Sequence, residues 1–265
     1  MRNDILRIIN IKAPVDYSEK QLKRKAAAAA GIRESDILDI KLVKRSVDAR
    51  NKQNVHYVIT VDAVLRRQEC GEGRFCFDPH SARRLSDEEE KGYMPALIKK
   101  SMTYGARSYS RPVVVGSGPA GLFAALILAQ NGLKPLLLER GEPVKERTAT
   151  VKLFMRTGIL NTESNIQFGE GGAGTFSDGK LHTGIKDVRC GYVFKELVEA
   201  GAPAEILWQG RPHIGTDKLK NTVAGLREKI ICLGGEFMFG ACVADIVTEN
   251  KKLKALKVRG GGAEA

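Results

Sequence analysis

The chain has 265 residues, 43% hydrophobic and 28% charged, a balance that excludes wholesale disorder and leaves room for one large domain or two small ones. Its formal net charge of +12 is spread along the chain rather than gathered into a tail, and only 6% of residues are aromatic, which argues against a nucleic-acid partner. The longest apolar stretch, Ala120 to Ala129, is half of the roughly 20 residues that a membrane span requires, so none is expected.

Asp4 and Arg7 interrupt the apolar residues of the N-terminus, which therefore lacks the core of a secretory leader. The five cysteines are odd in number and irregularly spaced, in a chain large enough to build a core without staples. Both features predict a reduced, cytoplasmic protein.

Residues 1–66 read as a small α+β domain. Ile5, Ile8, Ile9 and Ile11 predict a strand ending at Pro14, and Ser18 with Gln21 forms a capping box that opens an alanine-rich helix. Gly31 stands where a helix end favours a left-handed residue. Alternation through Leu38, Ile40 and Leu42, and again through Val55, Tyr57, Ile59, Val61 and Ala63, predicts two half-buried strands around a polar turn at Asp48 to Asn54. This β-α-β-β order resembles half of a ferredoxin-like module, and nothing in it suggests catalysis.

Residues 67–110 read as a connecting segment, rich in arginine, glycine and proline, with an acidic run at Asp87 to Glu90 and a helix near Met94 to Met102. Cys70, Cys76 and His80 fall here at a C-x5-C-x3-H spacing. A zinc site wants a fourth ligand and tighter pairs, so these are read as loop residues and no metal is expected.

Residues 111–265 carry the chemistry. Val113 to Val115 predict a short buried strand, Gly116-Ser117-Gly118-Pro119-Ala120-Gly121 follows at once, and an apolar helix runs from Pro119 to about Gln130. Gly132 closes that helix, Leu136 to Leu138 make a second strand, and Glu139 ends it, 23 residues after Gly116. Gly116 serves the tight turn, Gly118 lets backbone approach a pyrophosphate, and Gly121 allows helix and strand to pack closely. Phosphates would lie at the helix N-terminus, on backbone N–H groups and the positive end of the dipole. Glu139 stands where an acid accepts a ribose hydroxyl, which favours FAD or NAD over NADP, although Arg140 beside it softens that exclusion. The fold class is therefore α/β, a Rossmann-like FAD/NAD(P)-binding fold behind a small α+β domain.

Between FAD and NAD, the residues alone leave the choice open. The string GSGPAG, followed by ERG, resembles the N-terminal signature of flavoproteins related to glutathione reductase. Further on, NIQFGEGGAGTFSDGKL (Asn165 to Leu181) is similar to a segment of the bacterial FAD-dependent dehydrogenases, in which a small α+β domain precedes the flavin fold. The resemblance extends over essentially the whole chain. It implies FAD as cofactor, hydride or electron transfer as the activity, and a small-molecule substrate or electron donor as partner. It also implicates Gly172, Gly174 and Thr175 near the pyrophosphate and flavin, and the backbone of Val243 at the adenine edge.

For Arg147 two placements stand side by side, at the phosphates or on an exposed helix face. Lys180 is read either as a charge near the flavin or as a solvated lysine, and Cys242 as a buried packing residue in preference to a redox thiol, since no partner cysteine or activating histidine is adjacent in sequence. Leu219, Val223, Leu226, Ile230 and Leu233 predict a helix, Phe237 to Phe239 a third parallel strand, and Val243 to Val258 a meander. The family continues into a further strand and a Gly-Asp motif not present here, which implies that the flavin fold is incomplete, the N-terminal portion of a longer enzyme. Pro135 stands where the family carries valine. Neither His182 nor His213 is assigned a role, and the catalytic residues are unknown. The alternative function is a non-enzymatic dinucleotide-binding or protein-interaction fragment.

Overall fold

The computed structural model describes residues 4–66, 77–95, 111–181, 183–185 and 187–260. The chain forms two units, residues 1–94 with 181–195 and 204–212, and residues 95–180 with 196–203 and 213–265.

In the first unit, β1 (Ile5–Pro14), α1 (Glu19–Ala30), β2 (Ile37–Asp48) and β3 (His56–Leu65) follow the predicted order. The Ser18 Oγ accepts from the Gln21 N–H at 3.2 Å and the Ser18 N–H donates to Gln21 Oε1 at 2.8 Å, the reciprocal bonds that start α1. Gly31 ends it at a φ of 69°. The buried face of α1 (Leu22, Ala26, Ala27, Ala30) covers Leu6, Ile8, Ile11 and Ala13 of β1 and Ile59, Val61, Ala63 and Leu65 of β3. Strict alternation would put Ile8 and Ile11 on opposite faces. A bulge between them, with Asn10 at a φ of 58°, turns both inward.

The sheet order is β2-β3-β1-β4, and β4 (Ala82–Arg84) pairs antiparallel with β1. This corrects the boundary at residue 66, because the segment read as a connector supplies an edge strand and the half-buried Phe77 packs on the core. Residues 204–212 join the same unit, where the Arg45 N–H donates to the Trp208 carbonyl at 2.7 Å and the Gly210 N–H to the Arg45 carbonyl at 2.9 Å. Three-residue pieces are too short to show a period, so the sequence carries no sign of them. The acidic run forms one helical turn, α2 (Asp87–Lys91), capped by Ser86 and Glu89. The helix expected near Met94 to Met102 lies almost entirely outside the described residues, as do Cys70 and Cys76.

In the second unit, β5 (Val113–Val115), β6 (Leu136–Glu139) and β7 (Glu236–Phe239) form a parallel sheet in that order. The helix α3 (Pro119–Gln130) links β5 to β6 and buries Leu122, Ala125, Leu126 and Ala129, packing against α6 (Thr216–Cys232). Two further helices are α4 (Val144–Thr157) and α5 (Arg189–Glu199), the last residues of α5 belonging to this unit. The expected meander is an antiparallel hairpin of β8 (Ala241–Glu249) and β9 (Lys252–Gly260).

A further expectation fails in this sheet. The strand Val113 to Val115 is not buried, for Val113 is 43% and Val115 58% exposed. Among the described residues β6 is its one neighbour in the sheet, and apolar composition alone does not distinguish a strand with one neighbour from a central one.

Candidate functional site

The turn after β5 begins at Gly116, whose φ of 92° suits glycine, and whose N–H donates to the Leu138 carbonyl at 2.7 Å. Gly121 sits against it so closely that a Cβ there would lie 1.9 Å from the Gly116 carbonyl oxygen. Gly118 is a different case. Its backbone (φ −67°, ψ 179°) is open to any residue and a Cβ would meet nothing within 4 Å. What glycine provides there is empty space at the N-terminus of α3, where the first-turn N–H groups lack acceptors within the helix.

Gly116 and Gly118, though not Gly121, open onto a cavity of about 370 Å³ whose walls also include Glu139, Arg140, Gly172 and Val243, all expected at the site. Gly172 adopts a φ of 67°, and a Cβ on it would come within 3.2 Å of Pro119 Cδ and 3.5 Å of Gly118 Cα. The loop of residues 169–172 therefore lies on the turn of residues 116–118, tied by the Gly171 N–H donating to the Ser117 carbonyl at 2.8 Å. A glycine cradle that side chains would fill, at a helix N-terminus and beside a carboxylate, fits an adenine dinucleotide.

Several expected residues stand behind the cavity instead. Ser117 is fully buried, and its Oγ and N–H each donate to Glu139 Oε2 at 2.7 Å. Oε1 of Glu139 accepts from the Gly141 N–H at 2.8 Å. With about four acceptor sites on a carboxylate, Glu139 keeps capacity for one more donor.

Arg147 corrects both placements considered for it. It is neither on an exposed helix face nor free to reach phosphates, being 0% exposed. Its guanidinium donates to the carbonyls of Asn165 (2.9 Å), Ile166 (2.9 Å) and Glu170 (2.6 Å) and lies over the Phe176 ring at 4.7 Å. Burial pushes its pKa down to about 10, so it stays charged at neutral pH. Gly169 is pressed on it, since a Cβ there would lie 2.5 Å from Arg147 Cδ.

Glu170, fully buried, accepts from the Val144 N–H and from Arg227 Nη1, both at 2.7 Å, while its Oε1 has no partner among the described residues. Burial raises its pKa, opposed by those bonds. Thr175 is also buried, packed so that a Cβ on Gly171 would meet its Oγ1 at 2.1 Å. It and Gly174 shape the helical turn of residues 173–176, and neither lines the cavity. Pro119 and Ala120 open α3 without lining it either.

The cavity also holds Gly169, one of the four glycines packed between residues 169 and 174, and two residues that the sequence did not single out, Gln167 and Phe168. Cys242, read as a packing cysteine, is only half-buried and belongs to the cavity wall, because the strand after Gly240 turns it there. Lys180 is 71% exposed and pairs with Asp178 at 2.7 Å, as a solvated lysine would. The His213 Nε2 lies 2.6 Å from the Asp178 carbonyl, and His182 is outside the described residues. Among the described residues no cluster could hold a metal ion, and no helix is long and apolar enough to cross a membrane.

Comparison with known proteins gives two family matches. Residues 111–152 match the FAD binding domain family, which assigns FAD as the cofactor, and residues 5–64 match a domain of unknown function, DUF8436. A protein of Clostridium beijerinckii (strain ATCC 51743 / NCIMB 8052), described as uncharacterized, is 42% identical over 255 residues. The match covers 96% of this chain and 46% of that relative, so the chain spans about half the relative's length. Among solved structures, the L-amino acid deaminase of Proteus myxofaciens in complex with anthranilate aligns with 58% of this chain and 43% of its own. Its TM-score of 0.28 and identity of 14% are too low to support any argument.

Proposed function

We propose that this chain forms the dinucleotide-holding part of an FAD-dependent oxidoreductase of the bacterial FAD-dependent dehydrogenase type. In this reading residues from Arg111 onward are an FAD-binding domain of Rossmann type, supported by the parallel order β5-β6-β7 with α3 between the first two strands. The observation that carries it is the cavity at the ends of those strands, where Gly116, Gly118 and Gly172 leave space against the α3 N-terminus beside Glu139. The match of residues 111–152 to the FAD binding domain family supports the same ligand. The antiparallel order β2-β3-β1-β4 in the first unit supports the ferredoxin-like reading of that part.

Bound flavin would supply hydride or electron transfer, exchanging electrons with a small-molecule substrate or donor. The protein's contribution is to hold the dinucleotide. Backbone N–H groups of the α3 first turn and the loop of residues 169–172 would flank the phosphates. Glu139, fixed by Ser117 and Gly141, would accept a ribose hydroxyl with its remaining capacity.

The test is the visible spectrum of the purified chain, with FAD added and excess removed. Flavin absorption that co-elutes with the protein and is released on denaturation supports the reading. A protein that stays colourless after incubation with FAD sinks it.

A further inference from the structure

We propose that Phe168 recognises the adenine ring, stacking on the purine, with Arg140 and Glu163 holding the phenyl ring in that pose. The inference rests on the dinucleotide reading above and names the residue that selects the base.

The strand order sets which end of the cavity takes the base. Gly116 and Gly118 follow β5 at the α3 N-terminus, the place for phosphate. Glu139 follows one strand further on, at the end of β6, the place for ribose. The base then falls beyond, where Ala241, Cys242 and Val243 follow β7 and where Arg140 and Phe168 complete the wall. Phe168 is the aromatic residue of that wall.

Its backbone is pinned. The Phe168 N–H donates to Asn165 Oδ1 at 3.2 Å and its carbonyl accepts from the Asn165 N–H at 3.2 Å. The Asn165 carbonyl in turn accepts from the buried Arg147 at 2.9 Å. The ring is held too, for the Arg140 guanidinium lies over it at 4.9 Å and is fixed by Glu163 Oε2 at 3.0 and 2.9 Å. Yet Phe168 is 40% exposed. A large apolar ring held in place on both backbone and side chain, but left open to a cavity, is arranged to cover something flat. Stacking on the face of an aromatic ring suits a purine.

The probe is AMP, which carries the adenosine half without flavin, measured by calorimetry and proton NMR on the full chain. Phe168→Leu keeps apolar bulk and removes the flat ring, and Phe168→Trp keeps a ring. Wild type and Phe168→Trp should bind AMP within a few fold of each other and shift its H2 and H8 signals upfield. Phe168→Leu, with an unchanged thermal melt, should bind roughly tenfold or more weakly and lose that shift. Affinity and shifts in Phe168→Leu equal to wild type overturn the proposal. So does a Phe168→Trp variant as impaired as the leucine one. A wild-type chain that takes up neither FAD nor AMP overturns the functional reading itself, and this inference with it. FAD uptake with a Phe168-independent AMP site removes only the inference.

Discussion

Arg147 Nη1 donates to the carbonyl of Glu170 at 2.6 Å, while the Glu170 carboxylate accepts from the N–H of Val144, the first residue of the helix that carries Arg147. Each residue thus fixes the other's element. The carboxylate satisfies an orphan donor at the start of α4, and the guanidinium satisfies three loop carbonyls, those of Asn165, Ile166 and Glu170. The loop held this way is the one whose Gly171 and Gly172 lie on the glycine turn before α3.

Removing the guanidinium leaves three carbonyls and a buried space without partners. Arg147→Ala is expected to lower stability by about 3 kcal/mol or more, read from urea unfolding of the chain. Arg147→Lys should recover only part of that, since a point charge cannot meet three carbonyls in a fork. A loss below about 1 kcal/mol in Arg147→Ala would show that the loop holds itself.

Two glycines of the same motif should respond in opposite ways. Gly121→Ala places a methyl 1.9 Å from the Gly116 carbonyl, so helix and strand must part, at a cost of about 1–3 kcal/mol or more. Gly118→Ala meets nothing within 4 Å and needs no unusual φ, so its thermal midpoint should stay near wild type. Its methyl enters the cavity, and FAD uptake should fall at least tenfold. Equal FAD affinity in Gly118→Ala would remove the phosphate turn from the site.

Glu139→Gln replaces one acceptor oxygen with a donor that must face either the Ser117 or the Gly141 N–H. Stability without any flavin is expected to fall by about 1–3 kcal/mol. Unfolding free energies measured before and after FAD addition separate this cost from lost binding, which should appear as a smaller stabilisation by FAD.

Burial raises the Glu170 pKa above its unfolded value, so the folded chain holds the proton more tightly. The stability this contributes is present below the unfolded value, near about 4.3, and is lost as pH rises through the folded value. Glu170→Gln removes that titration. Relative to wild type, the variant should therefore gain stability as pH increases from about 4 to 7, seen in unfolding free energy against pH. A difference that stays flat or runs the other way would mean that the bonds from Val144 and Arg227 outweigh burial.

Much of this molecule is readable from local patterns. Ser18 with Gln21, Gly31, the alternation in β2 and β3, and the strand-glycine-helix register at Val113 to Gln130 all act within a few residues, where propensity and capping decide the backbone. The same holds for the part of the site made of Gly116, Gly118 and Glu139, because one β-α-β unit brings them together. What lies between distant segments needed the tertiary structure. β4 and Trp208 to Gly210 join a sheet they do not resemble in sequence, and Val113 and Val115 are exposed although the strand's composition suits a core. Arg147 on a helix has the same sequence signature whether it faces water, a phosphate or three carbonyls, and only the packing of the loop at residues 165–170 chose the last. Phe168 was part of the motif string all along. Its position in the cavity wall depends on Arg140, 28 residues earlier, meeting it across the fold. Local structure follows from nearby residues, whereas the direction a side chain faces is set by whichever distant element packs against it.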